Sequence, residues 1–308
     1  MSRSLFVVLH GKQAGNPQVR EAVAAVRQAG HRVDVRVTWE AGDAPRMVRE
    51  AVANHVDTVV AGGGDGTINQ VVDALVCAGG DSIGADERPA LGILPLGTAN
   101  DFAHANEIPL DPVAALKQIA NSPARAIDVG RVGERTFVNV ATGGFGTQVT
   151  VETSEDLKRV LGGAAYLLTG LTRFSSIHGS TGSFRGPDFA WQGKFLVLAV
   201  GNGRQAGGGH LLCPNAWIDD GLLDVSILPD VALVDLPAAL GNLMRGGVAA
   251  VEQTVVRVRV PWLEIRSDSP LDINLDGEPI SGREFRFEVR PGAIRAHLPG
   301  SPMLATRD

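Results

Sequence analysis

The stretch at residues 61–70, Ala-Gly-Gly-Gly-Asp-Gly-Thr-Ile-Asn-Gln, combines four glycines, a carboxylate and a hydroxyl between two apolar segments. Residues 57–60 form a short β-branched run typical of a buried strand, and apolar residues at helical spacing begin at Ile68. Glycines in a strand-to-helix turn let the backbone approach a ligand closely, and the first N–H groups of a helix are unpaired at its positive dipole end. The turn therefore predicts a cradle for a polyphosphate.

Asp65, inside this turn, narrows the expected ligand. A carboxylate beside a phosphate repels it unless a cation lies between them, so Asp65 indicates a metal-bound nucleotide. The alternative is an ordinary turn in which Asp65 or Thr67 caps the following helix. The spacing matches neither the G-x-x-x-x-G-K-[ST] nor the G-x-G-x-x-G nucleotide fingerprint.

A second polar loop, Pro-Leu-Gly-Thr-Ala-Asn-Asp-Phe-Ala at residues 95–103, follows a strand predicted at 91–95. Loops after parallel strands emerge on the same rim of a sheet, so this loop should face the same ligand. Thr98 and Asn100 can hydrogen-bond a phosphate or a ribose, and Asp101 can cap the next helical turn. Capping alone is the alternative for all three residues.

Two turns in the second half of the chain carry further carboxylates: Asp-Asp-Gly-Leu at 219–222 and Leu-Asp-Gly-Glu-Pro at 275–279. Asp-Gly is also a common hairpin signal, so each turn alone has a purely structural alternative. Phosphoryl transfer to a hydroxyl needs a metal on the phosphates, donors around them and a carboxylate at the attacking oxygen. The chain offers one candidate for each of these roles.

The elements that position these residues fall into two halves. Strands alternate with helices through about residue 125, which predicts an α/β domain at 1–125 with a doubly wound, mostly parallel sheet. Residues 126–308 contain mainly strand-like runs and predict a β-rich domain that completes a cleft. Whether the run near 293–298 returns to the first domain stays open.

Two helical segments interrupt the second half, at 154–174 and 233–244. Residues 161–172 carry no charge, so the first segment either lines an acyl-chain pocket, dips into a membrane surface or forms a buried core helix. Residues 201–206 match G-x-G-x-x-A, but glycines replace the helix that a dinucleotide site needs, so we reject that assignment.

Composition limits the classes of partner. The net charge is −6, from 28 basic and 34 acidic residues, which argues against nucleic-acid binding. Two cysteines in 308 residues favour a reducing compartment. The N-terminus resembles no secretory leader, and no apolar run reaches the ~20 residues of a membrane-spanning helix. We expect a cytoplasmic protein.

Three motifs, at 63–67, 95–102 and 275–279, occur in an order that resembles one known family. They are similar to the diacylglycerol kinase catalytic-domain family, which includes the sphingosine kinases, and most of all to its bacterial lipid kinase branch called YegS. The likeness covers nearly the whole chain, including residues 37–40, 141–147 and 201–214. It implies an α/β nucleotide-binding domain followed by a β-sandwich-like domain, with ATP between them and Mg²⁺ required.

The resemblance also implies roles for individual positions. A cation site would use Asp220 with the backbone carbonyls of Trp217 and Leu222, a donor set that suits Mg²⁺ or Ca²⁺ in either a catalytic or a structural role. Glu278 would be the proton acceptor. Gln70 departs from the family, which often has glutamate there. The residues implied in ATP contact are Thr38, Gly64, Asp65, Gly66, Thr67, Ile68, Asn69, Gln70 and Thr98.

Three functions follow as hypotheses. The leading one is a kinase that phosphorylates a lipid hydroxyl, on diacylglycerol, phosphatidylglycerol or a similar lipid, during transient contact with a membrane surface. A kinase of a soluble substrate such as NAD is the second, since NAD kinases and phosphofructokinases carry similar Gly-Gly-Asp-Gly turns. A non-catalytic nucleotide or lipid sensor is the third. The sequence specifies neither the lipid nor the oligomeric state.

Overall fold

The computed structural model describes residues 2–78, 87–144, 179–230 and 255–305. The helices predicted at 154–174 and 233–244 lie outside these ranges, as do residues 145–147 of one matching motif. Within the described ranges, no helix combines the length and the apolar character needed to cross a bilayer.

The first half alternates strands and helices, as its sequence predicts. Its elements are β1 (Ser4–Leu9), α1 (Pro17–Gln28), β2 (Arg32–Val37), α2 (Asp43–Ala53), β3 (Thr58–Gly63), α3 (Asp65–Ala78), β4 (Ala90–Pro95), α4 (Asp101–Ala105) and α5 (Pro112–Asn121). The four strands pair in parallel in the order β2-β1-β3-β4. Asn16 and Asp111 cap α1 and α5, each followed by a proline at the first helical position.

Two apolar clusters lie against opposite faces of this sheet. Val7 packs with residues of α1 and α5, whereas Val8 packs with residues of α2 and α3. Successive side chains of a strand point to opposite faces, so helices cover both sides of the parallel strands. The glycine loops begin at the carboxyl ends of β3 and β4.

The second half is rich in strands, which confirms the predicted change of character. Its strands are β5 (Arg125–Val132), β6 (Arg135–Phe137), β7 (Val140–Gly144), β8 (Ser180–Gly186), β9 (Phe189–Gly201), β10 (Gln205–Ala206), β11 (His210–Leu211), β12 (Leu223–Pro229), β13 (Val256–Val260), β14 (Trp262–Leu275) and β15 (Glu278–Ala296). These strands pair with one another in antiparallel fashion around a core cluster of their own.

The end of the chain returns to the first half. Ala296 of β15 pairs in parallel with Leu91 of β4, and the amide of His297 donates to the carbonyl of Leu91 at 3.0 Å. Met303 and Leu304 then pack into the cluster that covers α2 and α3. One continuous sheet therefore runs from β2 through β4 and β15 into the β-rich half, which holds the two halves together.

Candidate active site

The two glycine loops meet backbone to backbone on the rim of the parallel sheet. A Cβ atom on Gly97 would lie 2.5 Å from the Cα of Gly64, and one on Gly64 would lie 3.1 Å from the Cα of Gly97. Only glycine allows this approach at both positions. The loops after β3 and β4 therefore form one surface, as their place after adjacent parallel strands predicts.

Asp65 fastens the first loop to the second. One oxygen of its carboxylate accepts the amide of Asp101 at 3.1 Å, and the other accepts the amide of Phe102 at 3.0 Å. These are the first amides of α4, so Asp65 caps a helix that belongs to the other loop. This cap on a helix of the other loop was not among the expectations for Asp65, and its contact with a metal-bound nucleotide stays a prediction.

Asp101 extends the same chain of contacts into the β-rich half. Its carboxylate accepts the amides of Gly208 and Gly209 at 3.0 and 2.6 Å, and Gln205 donates its side-chain amide to the carbonyl of Asp101 at 2.9 Å. Burial raises the pKa of Asp101, while the two glycine amides lower it and the charge of Asp65 raises it. The glycine turn at 207–209 is thus docked on α4.

Asp276 makes a second bridge between the halves. Its carboxylate accepts three consecutive amides, from Val138 at 2.6 Å, Asn139 at 3.1 Å and Val140 at 3.1 Å, and also the side-chain amide of Asn69 at 3.1 Å. Burial raises the pKa of Asp276 to about 6, although these donors favour the charged form. A hairpin of the β-rich half is thereby attached to α3.

Glu278 lies two residues beyond this bridge and is exposed. It begins β15 and pairs with Leu275 across the turn formed by Asp276 and Gly277, whose φ angles are 48° and 104°. The amide of Gly277 donates to the side-chain oxygen of Asn274 at 2.6 Å, which fixes the turn. The backbone of Glu278 is therefore held while its carboxylate is open to a substrate.

Asn139 connects the Glu278 hairpin with the first glycine loop. Its amide donates to Asp276, and its side chain lies 3.5 Å from the carboxylate of Asp65. Its carbonyl accepts the amides of Asn202 and Gly203 at 3.0 and 2.7 Å. The structure thus brings the motifs at 63–67, 95–102 and 275–279 to one place.

The residues predicted to contact ATP fall into two groups, one exposed or half-buried and the other buried. Gly66 and Gln70 are exposed on α3, and Thr98 is exposed on the loop after β4. Thr38 is half-buried just after β2, where its hydroxyl accepts the amide of Gly11 at 3.2 Å. Gly64 is half-buried beside them. These five positions remain available to a nucleotide.

The other predicted ATP contacts point into the protein. Ile68 is 0% exposed in the core and its amide donates to the carbonyl of Gly64, so neither group is open to a ligand. Thr67 is buried against Gly63, where a Cβ atom would clash with its hydroxyl. Asn69 is committed to Asp276 and to the carbonyl of Thr136. These three side chains therefore make structural contacts within the protein, and contact of residues 67–69 with ATP stays a prediction.

Two residues of the predicted cation site, Asp220 and Trp217, each contact a different arginine. One oxygen of Asp220 accepts the amide of Leu222 at 3.0 Å, and the other forms an ion pair with Arg259. Trp217 packs its ring under the guanidinium of Arg204. A carboxylate with two carbonyls suits a hard cation, but here Arg259 already neutralises Asp220. A resident Mg²⁺ or Ca²⁺ would have to displace Arg259 from Asp220, and the cation site stays a prediction.

Sequence reasoning missed the two residues that assemble the site, Asp276 and Asn139. In the sequence, Asp276 stands out only as part of the 275–279 motif, and no local sequence pattern marks Asn139. The contacts of these two residues described above join positions that are 63 or more residues apart in the chain. The one sequence feature that points to Asp276 is its position in the 275–279 motif, two residues before the candidate base Glu278.

Two family models match the chain. One, described as "Diacylglycerol kinase catalytic domain", matches residues 4–132, and the other, described as "YegS C-terminal NAD kinase beta sandwich-like domain", matches residues 139–297. The boundary between the two matches falls just before Asn139.

Relatives and solved structures agree with these matches. A Pseudomonas aeruginosa PAO1 protein named "Probable lipid kinase YegS-like" is 60% identical over 301 residues, 97% of this chain and 96% of the relative. A Xanthomonas euvesicatoria pv. vesicatoria protein of the same name is 54% identical over 304 residues, 97% of both chains. The crystal structure of a "putative diacylglycerol kinase" from Bacillus anthracis str. Sterne has a TM-score of 0.76 at 22% identity, covering 97% of this chain and 96% of that one, and shares the fold.

Proposed function

The chain belongs to the diacylglycerol kinase catalytic-domain family, in its YegS-like branch, and on that premise we propose that it is an ATP-dependent lipid kinase. One observation carries the proposal: Asn139 contacts both Asp65 of the glycine cradle and Asp276 of the hairpin that bears Glu278. A nucleotide cradle and an exposed carboxylate are thus held by the same residue. Together they supply two of the requirements for phosphoryl transfer to a hydroxyl, donors around the phosphates and a carboxylate at the attacking oxygen.

The nucleotide side of the reaction uses the loop surface. The amides at residues 64–66 face the terminal phosphates, since the first amides of a helix have no partner within it. Thr98 and Thr38 hydrogen-bond the nucleotide, and Gln70 lies beside it. ATP binds as its Mg²⁺ complex, in which the metal offsets the phosphate charge and belongs to the substrate.

Glu278 is the catalytic base. Its carboxylate takes the proton of the lipid hydroxyl as the hydroxyl oxygen forms a bond to the γ-phosphorus. The bond from that phosphorus to the bridging oxygen breaks, and ADP leaves with the electron pair. The products are a phosphorylated lipid, ADP and a protonated Glu278.

The architecture that supports this chemistry is a doubly wound sheet at residues 1–125 followed by a sandwich-like domain at 126–308. Helices on both faces of the strand order β2-β1-β3-β4 support the first part. In that order the direction of winding reverses between β1 and β3, where doubly wound sheets bind their ligands. The cradle follows β3 at this point.

The acceptor is a membrane lipid and the reaction takes place on the cytoplasmic side, where ATP is available, during transient contact of the protein with the bilayer. Support for a lipid acceptor comes from the names of the relatives. Diacylglycerol and phosphatidylglycerol both carry a free hydroxyl that fits the mechanism.

A labelling assay tests this function. The wild type, Glu278→Gln and the control Glu284→Gln, which alters an exposed carboxylate on the same strand, receive γ-labelled MgATP with extracted lipids or with NAD. We expect the wild type and Glu284→Gln to label a lipid, and Glu278→Gln to lose about 10²-fold or more in kcat with ATP affinity kept. Labelled NADP without labelled lipid would identify a soluble-substrate kinase, and ATP binding without transfer a sensor; either result overturns the proposal.

A further inference from the structure

We propose that Asp276 is a positioning residue for phosphoryl transfer: its carboxylate holds the Glu278 hairpin in register with the nucleotide cradle. The inference rests on the proposed function and assigns a role that hairpin geometry alone does not require. Asp276 touches neither substrate; it acts through Glu278, two residues further along the chain.

The hairpin itself has no need of this carboxylate. β14 and β15 pair on both sides of the turn, and the side chain of Asn274 holds the amide of Gly277. An aspartate at positive φ is uncommon, and asparagine or glycine adopts this conformation at least as easily. The carboxylate of Asp276 is directed instead to other segments of the chain.

Those segments surround the carboxylate with four N–H groups. Three consecutive amides, at residues 138–140, come from the junction between β6 and β7, and the fourth donor is the side chain of Asn69 on α3. Backbone amides and a buried carboxamide are fixed donors, so the turn can occupy one position only. If asparagine replaced Asp276, the two hydrogens of its side-chain NH₂ group would face some of these N–H donors, and no hydrogen bond could form there.

The same contacts reach both ends of residues 65–69, the part of the cradle that begins α3. Asn69 belongs to that segment directly, and Asn139 links Asp276 to Asp65 at its beginning. A hairpin attached at both ends of the cradle cannot slide or rotate relative to the phosphates. Because proton transfer needs hydrogen-bond distance, a displacement of about 1 Å would already slow the reaction strongly.

A double-mutant cycle tests the proposal. It comprises wild type, Asp276→Asn, Glu278→Gln and the double variant, with Asp188→Asn as a matched control for an aspartate at positive φ in another two-residue turn. We measure kcat and KM with labelled MgATP and the lipid that the wild type phosphorylates. We expect Asp276→Asn to lower kcat at least tenfold with KM for ATP within threefold, and Asp188→Asn to change neither.

The cycle distinguishes positioning from a general structural effect. If Asp276 acts through Glu278, then Asp276→Asn lowers kcat far less in the Glu278→Gln background, since the base is already absent. Equal losses in both backgrounds, or an unchanged kcat, would overturn the positioning role alone. A wild type that labels no lipid would overturn the proposed function and this role with it.

A second variant covers the case in which Asp276→Asn does not fold. Asn69→Ala removes one of the four donors and leaves the carboxylate in place. We expect a smaller fall in kcat, about threefold to tenfold, that again becomes smaller in the Glu278→Gln background. A fall of the same size in both backgrounds would contradict the proposal.

Discussion

Two hairpin turns of the β-rich half each hold an aspartate at positive φ, and the surroundings of the two aspartates differ. Pro187 and Asp188 connect β8 to β9, and Asp276 and Gly277 connect β14 to β15; the two aspartates have φ angles of 52° and 48°. Asp188 is exposed, and in the described part of the chain its carboxylate has no hydrogen bond or ion pair. Asp276 accepts four N–H groups from other segments. Local sequence specifies a turn, whereas distant segments decide what its aspartate does.

The largest expected effect is the difference in the free energy of unfolding between alanine variants at the two aspartates. Asp276→Ala leaves four donors without an acceptor and should lower the free energy of unfolding by about 3 kcal/mol. Asp188→Ala, on an exposed turn, should lower it by only about 1 kcal/mol, because alanine tolerates the positive φ of 52° less well than aspartate. Urea denaturation of the two variants and the wild type measures both values. Equal effects of the two substitutions would remove the distinction between the turns.

The pH dependence of stability sharpens the contrast at Asp276. Its pKa is raised to about 6 in the folded protein, so between pH 4 and 6 the folded state binds more protons than the unfolded state. Stability from this group is therefore present at low pH and is lost as pH rises through 6.

The free energy of unfolding of the wild type minus that of Asp276→Asn isolates the titration of Asp276, because all other titrating groups are common to both proteins. The difference should fall by about 2 kcal/mol between pH 4.5 and 6.5. Urea denaturation at a series of pH values measures it. A difference that rises with pH would mean that the donors outweigh burial and that the pKa is lowered.

The smallest expected effect concerns a third turn that contains an aspartate, at Asp220 and Gly221. Here the charge of the aspartate is matched by Arg259 within the protein. Removal of divalent ions with EDTA should therefore shift the unfolding midpoint of the nucleotide-free protein by less than about 1 °C, since no bound cation is lost. A fall of several degrees that Ca²⁺ or Mg²⁺ restores, and that Asp220→Ala abolishes, would establish the cation site instead.

Much of the fold is predictable because it depends on local patterns. The strand-to-helix turn at 61–70 follows from glycines between a β-branched run and a helical apolar stripe, and α3 begins at Asp65 as that pattern indicates. β14 and β15 were less predictable. Short apolar runs at 263–265, 273–275 and 285–289 proved to be parts of strands of 14 and 19 residues. Their exposed faces carry charges that hide the continuity of each strand.

The assembly of the site was not predictable from local patterns. The contact between Asn69 and Asp276 joins residues 207 positions apart, and that between Val138 and Asp276 joins residues 138 positions apart. Ile68 shows a second limit of prediction from a motif, which is that a residue inside the motif need not face the ligand. It stands inside the motif, yet helix periodicity turns its side chain into the core. A motif thus locates a site without specifying which of its side chains face the ligand.

The most direct test of the account is a crystal structure with a non-hydrolysable MgATP analogue bound. We expect the terminal phosphate against the amides at residues 64–66, with the carboxylate of Glu278 facing it and the Asp276 contacts intact. A nucleotide bound away from this turn, or a Glu278 side chain that no acceptor hydroxyl beside the γ-phosphate could reach, would contradict it.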